Sequence, residues 1–165
     1  MTLATHIVIA RAVGKKLAIA NPLAGFLVGW ASHYLADLIP HWDYRLASLT
    51  YRDPETKKEK MRARGALGDY LKVGLDAFLG FAVAVAFSYP QNWSEWLTLG
   101  AIAFGAVFPD FLQFLYYITG NWKILKYFQS FQEFMHTKIK LGRKPLIGIA
   151  FQAIIFLLAV FFILH

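Results

Sequence analysis

The side chains that stand out in this sequence are ionisable ones set inside apolar runs: His6, His33, Asp37, Asp76 and Asp110. His41 and Asp43 follow directly after the second run, and His136 lies further along. An ionisable residue at membrane depth costs roughly 2.5–3.5 kcal/mol on insertion scales and usually serves function. All of these are histidine or aspartate, and no lysine or arginine lies deep in the last two long spans to neutralise Asp110. That set suits a bound cation better than salt bridges. His33 and Asp37, at i and i+4, share one helix face and can share one metal. Imidazole with carboxylate suits zinc, with manganese or iron as the alternatives. One or two ions fit the number of donors, and a two-ion site activates water and clamps a phosphoryl group. The expected metal ligands are therefore His6, His33, Asp37, His41, Asp110 and His136, with Asp76 or Asp43 as a further ligand or general base.

Each residue also has a plainer reading. His33 and Asp37 can form a hydrogen-bonded pair within a helical hairpin. Asp110 can cap the half-helix beyond Pro109. Lys72, one turn away, can pair with Asp76, and His136 can simply be solvated on a polar face.

The elements that must position these residues are helical. Asn21-Pro22 marks a turn between two arms, residues 3–20 and 23–39. Gly25, Gly29, His33 and Asp37 follow at steps of four on the second arm, and His6, Ala10, Gly14 and Ala18 do so on the first. Folding at the turn pairs Ala18 with Gly25, Gly14 with Gly29, Ala10 with His33 and His6 with Asp37. Small residues on both faces then allow close approach. Three further runs, Leu67–Tyr89, Trp93–Ile118 and Pro145–Leu164, are long enough to cross a bilayer, which takes about 20 residues. The second carries tryptophan at its start, tyrosine at its end, and Pro109, which should kink it. A hairpin turn near Gln91 puts Asp76 within about a turn of Asp110. Residues 121–141 read as an amphipathic helix lying in the interface, with Trp122, Leu125, Phe128, Phe131 and Phe134 on one side and Gln129, Glu133 and His136 on the other. Gly142 is its expected stop, and Asp53-Pro54-Glu55 resembles a helix start.

Composition agrees with this architecture. The chain is 58% hydrophobic and 16% charged over 165 residues, where soluble domains average about 45–50% and about 25%. Disorder is excluded by that hydrophobicity, and the absence of cysteine excludes disulfides, thiolate nucleophiles and cysteine-bound zinc. The net charge of +7 raises the question of nucleic acid. Yet the basic residues flank the long apolar runs rather than interleaving with aromatics, which is how membrane loops look and not how a nucleic-acid face looks. The positive-inside rule places residues 40–66 and 120–144 in the cytoplasm and the Pro90-Gln91-Asn92 link outside. Arg11, Lys15 and Lys16 sit against that rule, so the first arm reads as tilted or re-entrant. The start lacks the basic n-region of a cleavable signal peptide.

These motifs resemble those of a known family. Ser32–Asp43, with His33-x-x-x-Asp37, is similar to the His-x-x-x-Asp motif of small bacterial inner-membrane proteins described as membrane-bound metal-dependent hydrolases. Gly105–Asp110 resembles their Gly-x-x-x-Pro-Asp motif, His136-Thr137 their His-Thr/Ser motif, and Thr5-His6 their N-terminal histidine. The same motifs resemble those of the zinc-dependent phospholipase C and P1-type nuclease group, all-helical phosphoesterases with a zinc cluster. Here the Pro-Asp motif follows His-x-x-x-Asp instead of preceding it, and Phe134-Met135 stand where the family has Arg-Gly. The resemblance implies metal roles for His6, His33, Asp37, Asp110 and His136, and a bacterial inner-membrane location.

The expectation is an all-α integral membrane bundle, one domain over 1–165. It comprises a helical hairpin (3–39), a cytoplasmic basic loop (40–66), a transmembrane hairpin (67–118), an interfacial helix (121–141) and a C-terminal transmembrane helix (145–164). Its expected function is metal-dependent hydrolysis of a phospholipid or other phosphoester at the cytoplasmic membrane face. The alternative is a non-catalytic scaffold or channel-like protein with a structural metal or polar cluster. No Ser-His-Asp constellation at persuasive spacing, phosphate-binding loop or dinucleotide fingerprint is present.

Overall fold

A computed structural model describes residues 1–17, 19–44, 46–49, 66–119, 122–139, 141 and 145–165. Among these residues the chain is all-helical, without a strand. The elements are α1 (Leu3–Lys16), α2 (Pro22–Asp37), a short 3-10 turn (Ala47–Leu49), α3 (Ala66–Ser88), α4 (Trp93–Thr119), α5 (Lys123–Met135) and α6 (Pro145–Leu164). Three of them, α3, α4 and α6, are long and apolar enough to cross a membrane. The helix start expected at Asp53-Pro54-Glu55, the stop at Gly142 and the Ala18 contact lie outside the described residues.

Local signals explain the element ends. Asn21 caps α2, its Oδ1 accepting from the amides of Leu23 at 2.8 Å and Ala24 at 3.2 Å, with Pro22 in the first turn. Tyr89, at φ 48°, takes the left-handed conformation that ends α3. Asn92 and Glu95 then form a reciprocal cap on α4: Asn92 Oδ1 accepts from the Glu95 amide at 3.0 Å, and Glu95 accepts from the Asn92 side chain at 2.7 Å. The arms of the first hairpin are shorter than the sequence suggests. With 14 and 16 residues they run about 21 and 24 Å, short of the roughly 30 Å hydrocarbon core.

The packing partners differ from those expected. The small-residue stripe of α2 meets α4, not α1. A Cβ on Gly29 would press into the backbone of α4 at Ile102, Gly105 and Ala106, and one on Gly105 would press into Phe26 and Trp30 of α2. Gly14, expected against Gly29, faces Ile102 instead. On α3, Gly80 lies against the backbone of Ala4 in α1. The two hairpins therefore interleave, α1 on α3 and α2 on α4. Gly29 and Gly105 let α2 and α4 approach to backbone contact, as Gly80 does for α3 on α1. Ile7, Ala10, Ala84, Leu99, Ile102 and Ala106 fill the centre.

Outer elements are tied on by polar contacts that the apolar environment makes costly to break. Gln152, the one strongly polar side chain of α6, donates to Thr2 Oγ1 at 2.6 Å and Thr5 Oγ1 at 3.0 Å. Lys15 Nζ donates to the carbonyl of Ile163. Buried Asp69 of α3 accepts from the amide and hydroxyl of Ser48 at 2.7 and 2.6 Å, pinning the 3-10 turn. On α5 the buried face does not follow the expected division into apolar and polar sides. Gln129 and Gln132 are buried with Leu125, while Ile124, Tyr127, Phe131 and Phe134 face outward.

Candidate metal centre

The interleaved packing brings one end of each hairpin together. His6 lies near the start of α1, His33 and Asp37 in the last turns of α2, and Asp110 on α4 just after Pro109. The His6 and His33 rings stack, centroids 4.0 Å apart and planes 17° apart. Both point Nε2 at the Asp37 carboxylate: His6 Nε2 is 3.2 Å from Oδ1 and His33 Nε2 is 3.2 Å from Oδ2. All three residues are almost completely buried.

A second group shares Asp37. His41 Nε2 lies 3.8 Å from Asp37 Oδ1 and 3.3 Å from Asp43 Oδ2. His136 Nε2 lies 3.7 Å from Asp43 Oδ2, and its ring meets that of His41 at 4.8 Å. His136 is delivered by the chain just past α5, where the Thr137 amide donates to the backbone carbonyl of Asp37 at 2.7 Å. Two overlapping triads result, His6–His33–Asp37 and Asp37–His41–His136, each with donor atoms within 4.8 Å of one another.

The donor set fits a metal on three grounds. First, Nε2 of His6, His33 and His41 and Oδ1 of Asp37 are buried without a hydrogen-bond partner, though they stand close together. Second, donors bound tetrahedrally at about 2.0–2.1 Å stand about 3.4 Å apart, and the two closest pairs here are at 3.2 Å. Third, His33 Nδ1 contacts the carbonyl of Ala106 at 2.7 Å, and His41 Nδ1 that of Ile39 at 2.7 Å. A carbonyl only accepts, so the proton sits on Nδ1 and Nε2 is left free as a ligand. Pro109 contributes here. It has no N–H for the preceding turn and opens the helix ladder there, beside the carbonyl of Ala106 that meets His33. α4 runs through Pro109 as one element.

The other aspartates stand at different distances. Asp110 Oδ1 is 3.9 Å from His33 Nε2 and accepts from Gln132 Nε2 at 3.0 Å, so it borders the first triad. Asp43 is about half exposed. Its burial works to raise its pKa, but His41 and the amino group of Met1 outweigh that and hold the carboxyl below the ordinary range. The Met1 nitrogen lies 2.5 Å from Asp43 Oδ1 and 3.5 Å from Asp37 Oδ1. Asp76 is not at the histidines. It accepts from the amides of Leu3 at 2.6 Å and Ala4 at 3.4 Å, and from the Tyr44 hydroxyl at 3.3 Å, so it caps α1. Lys72 stands 3.8 Å from Asp69.

No protein-family model, curated protein or solved structure matches the chain. The geometry alone therefore carries the functional argument. Two contributors escape a reading of the sequence. Gln132 has a signal, lying one turn before His136 and three residues after Gln129 on one helix face. The second, Tyr44, has none beyond its nearness to Asp43. Burial and the Asp76 carboxylate push its hydroxyl up, which keeps it a hydrogen-bond donor.

Proposed function

We propose that this chain is a membrane-embedded, metal-dependent hydrolase of phosphoesters, working at the cytoplasmic face of a bacterial inner membrane. One observation carries the reading: buried, unpartnered imidazole nitrogens from three segments converge on the shared carboxylate of Asp37, two of them oriented by backbone carbonyls. Three protein donors per ion leave a coordination position open, the pattern of catalytic rather than structural zinc. Two ions sharing Asp37 would supply Lewis acidity and a hydroxide nucleophile near neutral pH. His6, His33 and Asp37 would hold one, and Asp37, His41 and His136 the other. The resemblance to membrane-bound metal-dependent hydrolases points the same way.

The chain's own residues account for the rest. Asp43 and Asp110 are the carboxylates at the rim, and Asp43, the more exposed of the two, would take the proton of an attacking water. Hydrolysis adds water across a P–O ester bond: a P–O bond to the water oxygen forms, the P–O bond to the alkoxy group breaks, and the alkoxide takes up a proton. Gln132 fixes Asp110. The outward aromatic face of α5 supports a place for that helix at the membrane interface, and the short α1 supports a re-entrant first arm.

A second reading rests on Met1. An ammonium 2.5 Å from Asp43 and 3.5 Å from Asp37 can itself neutralise these carboxylates, leaving a polar cluster in a non-catalytic scaffold. Metal analysis separates the two. Purified in detergent without added metal, wild type should carry one or two zinc ions per chain, and His33→Ala and Asp37→Asn should carry substantially less. Absence of stoichiometric metal from wild type after zinc loading sinks the hydrolase reading.

A further inference from the structure

Arg11 stands in the apolar stretch of α1, past His6 and short of the lysines in the last turn. An ionisable residue so placed is a functional candidate by default. Its Nε donates to Ser88 Oγ of α3 at 2.5 Å. The rest of the guanidinium is a planar fork of N–H donors. That fork has no hydrogen-bond partner among the described residues, although the side chain is half-buried. Arg11 lines a cavity of about 290 Å³ where α1 and α3 end and α4 begins. This volume is at the lower edge of the range of about 300–1,000 Å³ usual for small-molecule sites.

The same cavity carries the opposite charge. Glu95, in the first turn of α4, also lines it. Its carboxylate accepts from the Gln91 amide at 2.8 Å and the Asn92 side chain at 2.7 Å, and among the described residues no ion pair joins it to Arg11. Ser88, Ser94 and Thr98 add hydroxyls, and Ile19, Ala20, Pro90 and Leu99 supply apolar lining. We propose that the cavity binds a small α-amino acid with an aliphatic side chain, its carboxylate on the Arg11 fork, its ammonium at Glu95 and its side chain against the apolar lining. The guanidinium matches a carboxylate bidentately. A plain anion answers Arg11 but meets the like charge of Glu95. A plain cation does the reverse, and an apolar molecule leaves both charges unanswered. A phosphoethanolamine headgroup carries the same two charges, and the experiment separates that source. The cavity lies toward the opposite end of α1 from His6, so the inference does not rest on the hydrolase reading.

The test is equilibrium binding of radiolabelled valine to the full chain in phosphatidylglycerol nanodiscs, read by scintillation proximity. Wild type should bind valine saturably and stoichiometrically, with or without zinc loading. Isovalerate, which lacks the ammonium, and isobutylamine, which lacks the carboxylate, should compete about 10–100-fold more weakly than valine. Arg11→Gln and Glu95→Gln should each weaken binding by about the same factor, with thermal unfolding showing that the variants are folded. Ala20→Trp keeps both charges but fills the cavity from an exposed position, and should abolish binding even where Arg11→Gln does not fold. Gly100→Phe, outside the cavity and in open space, should bind as wild type does. Three results overturn the inference. The first is no saturable valine binding by wild type. The second is isovalerate competing as well as valine, which marks a plain anion site. The third is valine binding lost when phosphatidylethanolamine replaces phosphatidylglycerol, which makes the lipid headgroup the occupant.

Discussion

Substituting Gly29 by alanine should weaken metal binding although Gly29 touches no ligand. The added Cβ would stand 2.8 Å from the Ala106 nitrogen, and closer still to the Ile102 carbonyl oxygen. Both are backbone atoms inside a helix and cannot swing away. Restoring an ordinary contact of about 3.5 Å requires α2 and α4 to part by at least about 0.7 Å at this level. His33 sits one turn further along α2, and its Nδ1 reaches Ala106 O across the same gap at 2.7 Å. The same displacement stretches that contact to at least about 3.4 Å, where a hydrogen bond has lost most of its strength. His33 then loses the contact that fixes its tautomer and aims Nε2 at Asp37. Loss of such an outer contact typically costs 10–100-fold in metal affinity, and overpacking costs about 1–3 kcal/mol in stability. The assay is zinc competition against a fluorescent chelator at fixed pH, with thermal unfolding in the same detergent. Gly100→Ala, whose Cβ meets nothing within 4 Å, is the control and should match wild type in both. If Gly29→Ala binds zinc as tightly as wild type, the close crossing does not set the site and the reasoning is refuted.

Other outcomes follow from the same contacts. Asp76→Ala should lower stability by about 0.5–2 kcal/mol through loss of the α1 cap while leaving zinc content intact; a loss of zinc would restore Asp76 to the ligand set. Gln132→Met, read by thermal unfolding, should destabilise by about 1–3 kcal/mol, since it leaves Asp110 without its amide donor. Chelator treatment should lower the melting temperature and zinc should restore it, with a gain of about 2.7 kcal/mol at a hundred times Kd, whereas magnesium, which avoids imidazole, should not. Tyr44 gives a pH signature. Its folded-state pKa is raised, so its contribution is fully present below the ordinary tyrosine value of about 10 and is lost as pH rises through the folded one. Wild type should therefore lose thermal stability above about pH 10 more steeply than Tyr44→Phe, and parallel curves would count against the Tyr44 contribution.

Much of this is legible in the sequence because a bilayer is an exacting solvent. The long runs that became α3, α4 and α6 announce themselves by length, and His33 with Asp37 by being ionisable on one face of an apolar arm. Partner choice is another matter. A stripe such as Gly25–Gly29 says that a helix will approach closely, but not which helix. Chain proximity favours α1, and the outcome was decided by Gly105 and Ala106, seventy-odd residues away. Asp76 shows the same limit. Its register relative to Asp110 follows from a hairpin in which α3 and α4 pack together; once α3 turns to α1, the nearest unsatisfied groups are the free amides at the start of α1, and the carboxylate goes there. On α5 the usual rule that glutamine faces outward fails: Gln129 and Gln132 are buried while Ile124, Tyr127 and Phe134 are exposed.

Interleaving is also what makes a site of these residues. Paired as simple hairpins, α1 with α2 and α3 with α4, the chain would still bring His6 to Asp37. It would leave Pro109 and Asp110 facing α3, and no carbonyl would be offered to His33. Crossing the hairpins puts the turn opened by Pro109 against α2, so that one element both orients a ligand through Ala106 O and supplies the rim carboxylate Asp110. The same crossing denies α3 and α4 each other's company and leaves between them a cleft that Asp110 lines. The His/Asp cluster and the cleft are thus two consequences of one packing choice, made where Gly29 meets Gly105. A variant that merely filled the cleft should spare the metal, while one that forced the crossing apart should disturb both, and that asymmetry is the strongest test of the connection.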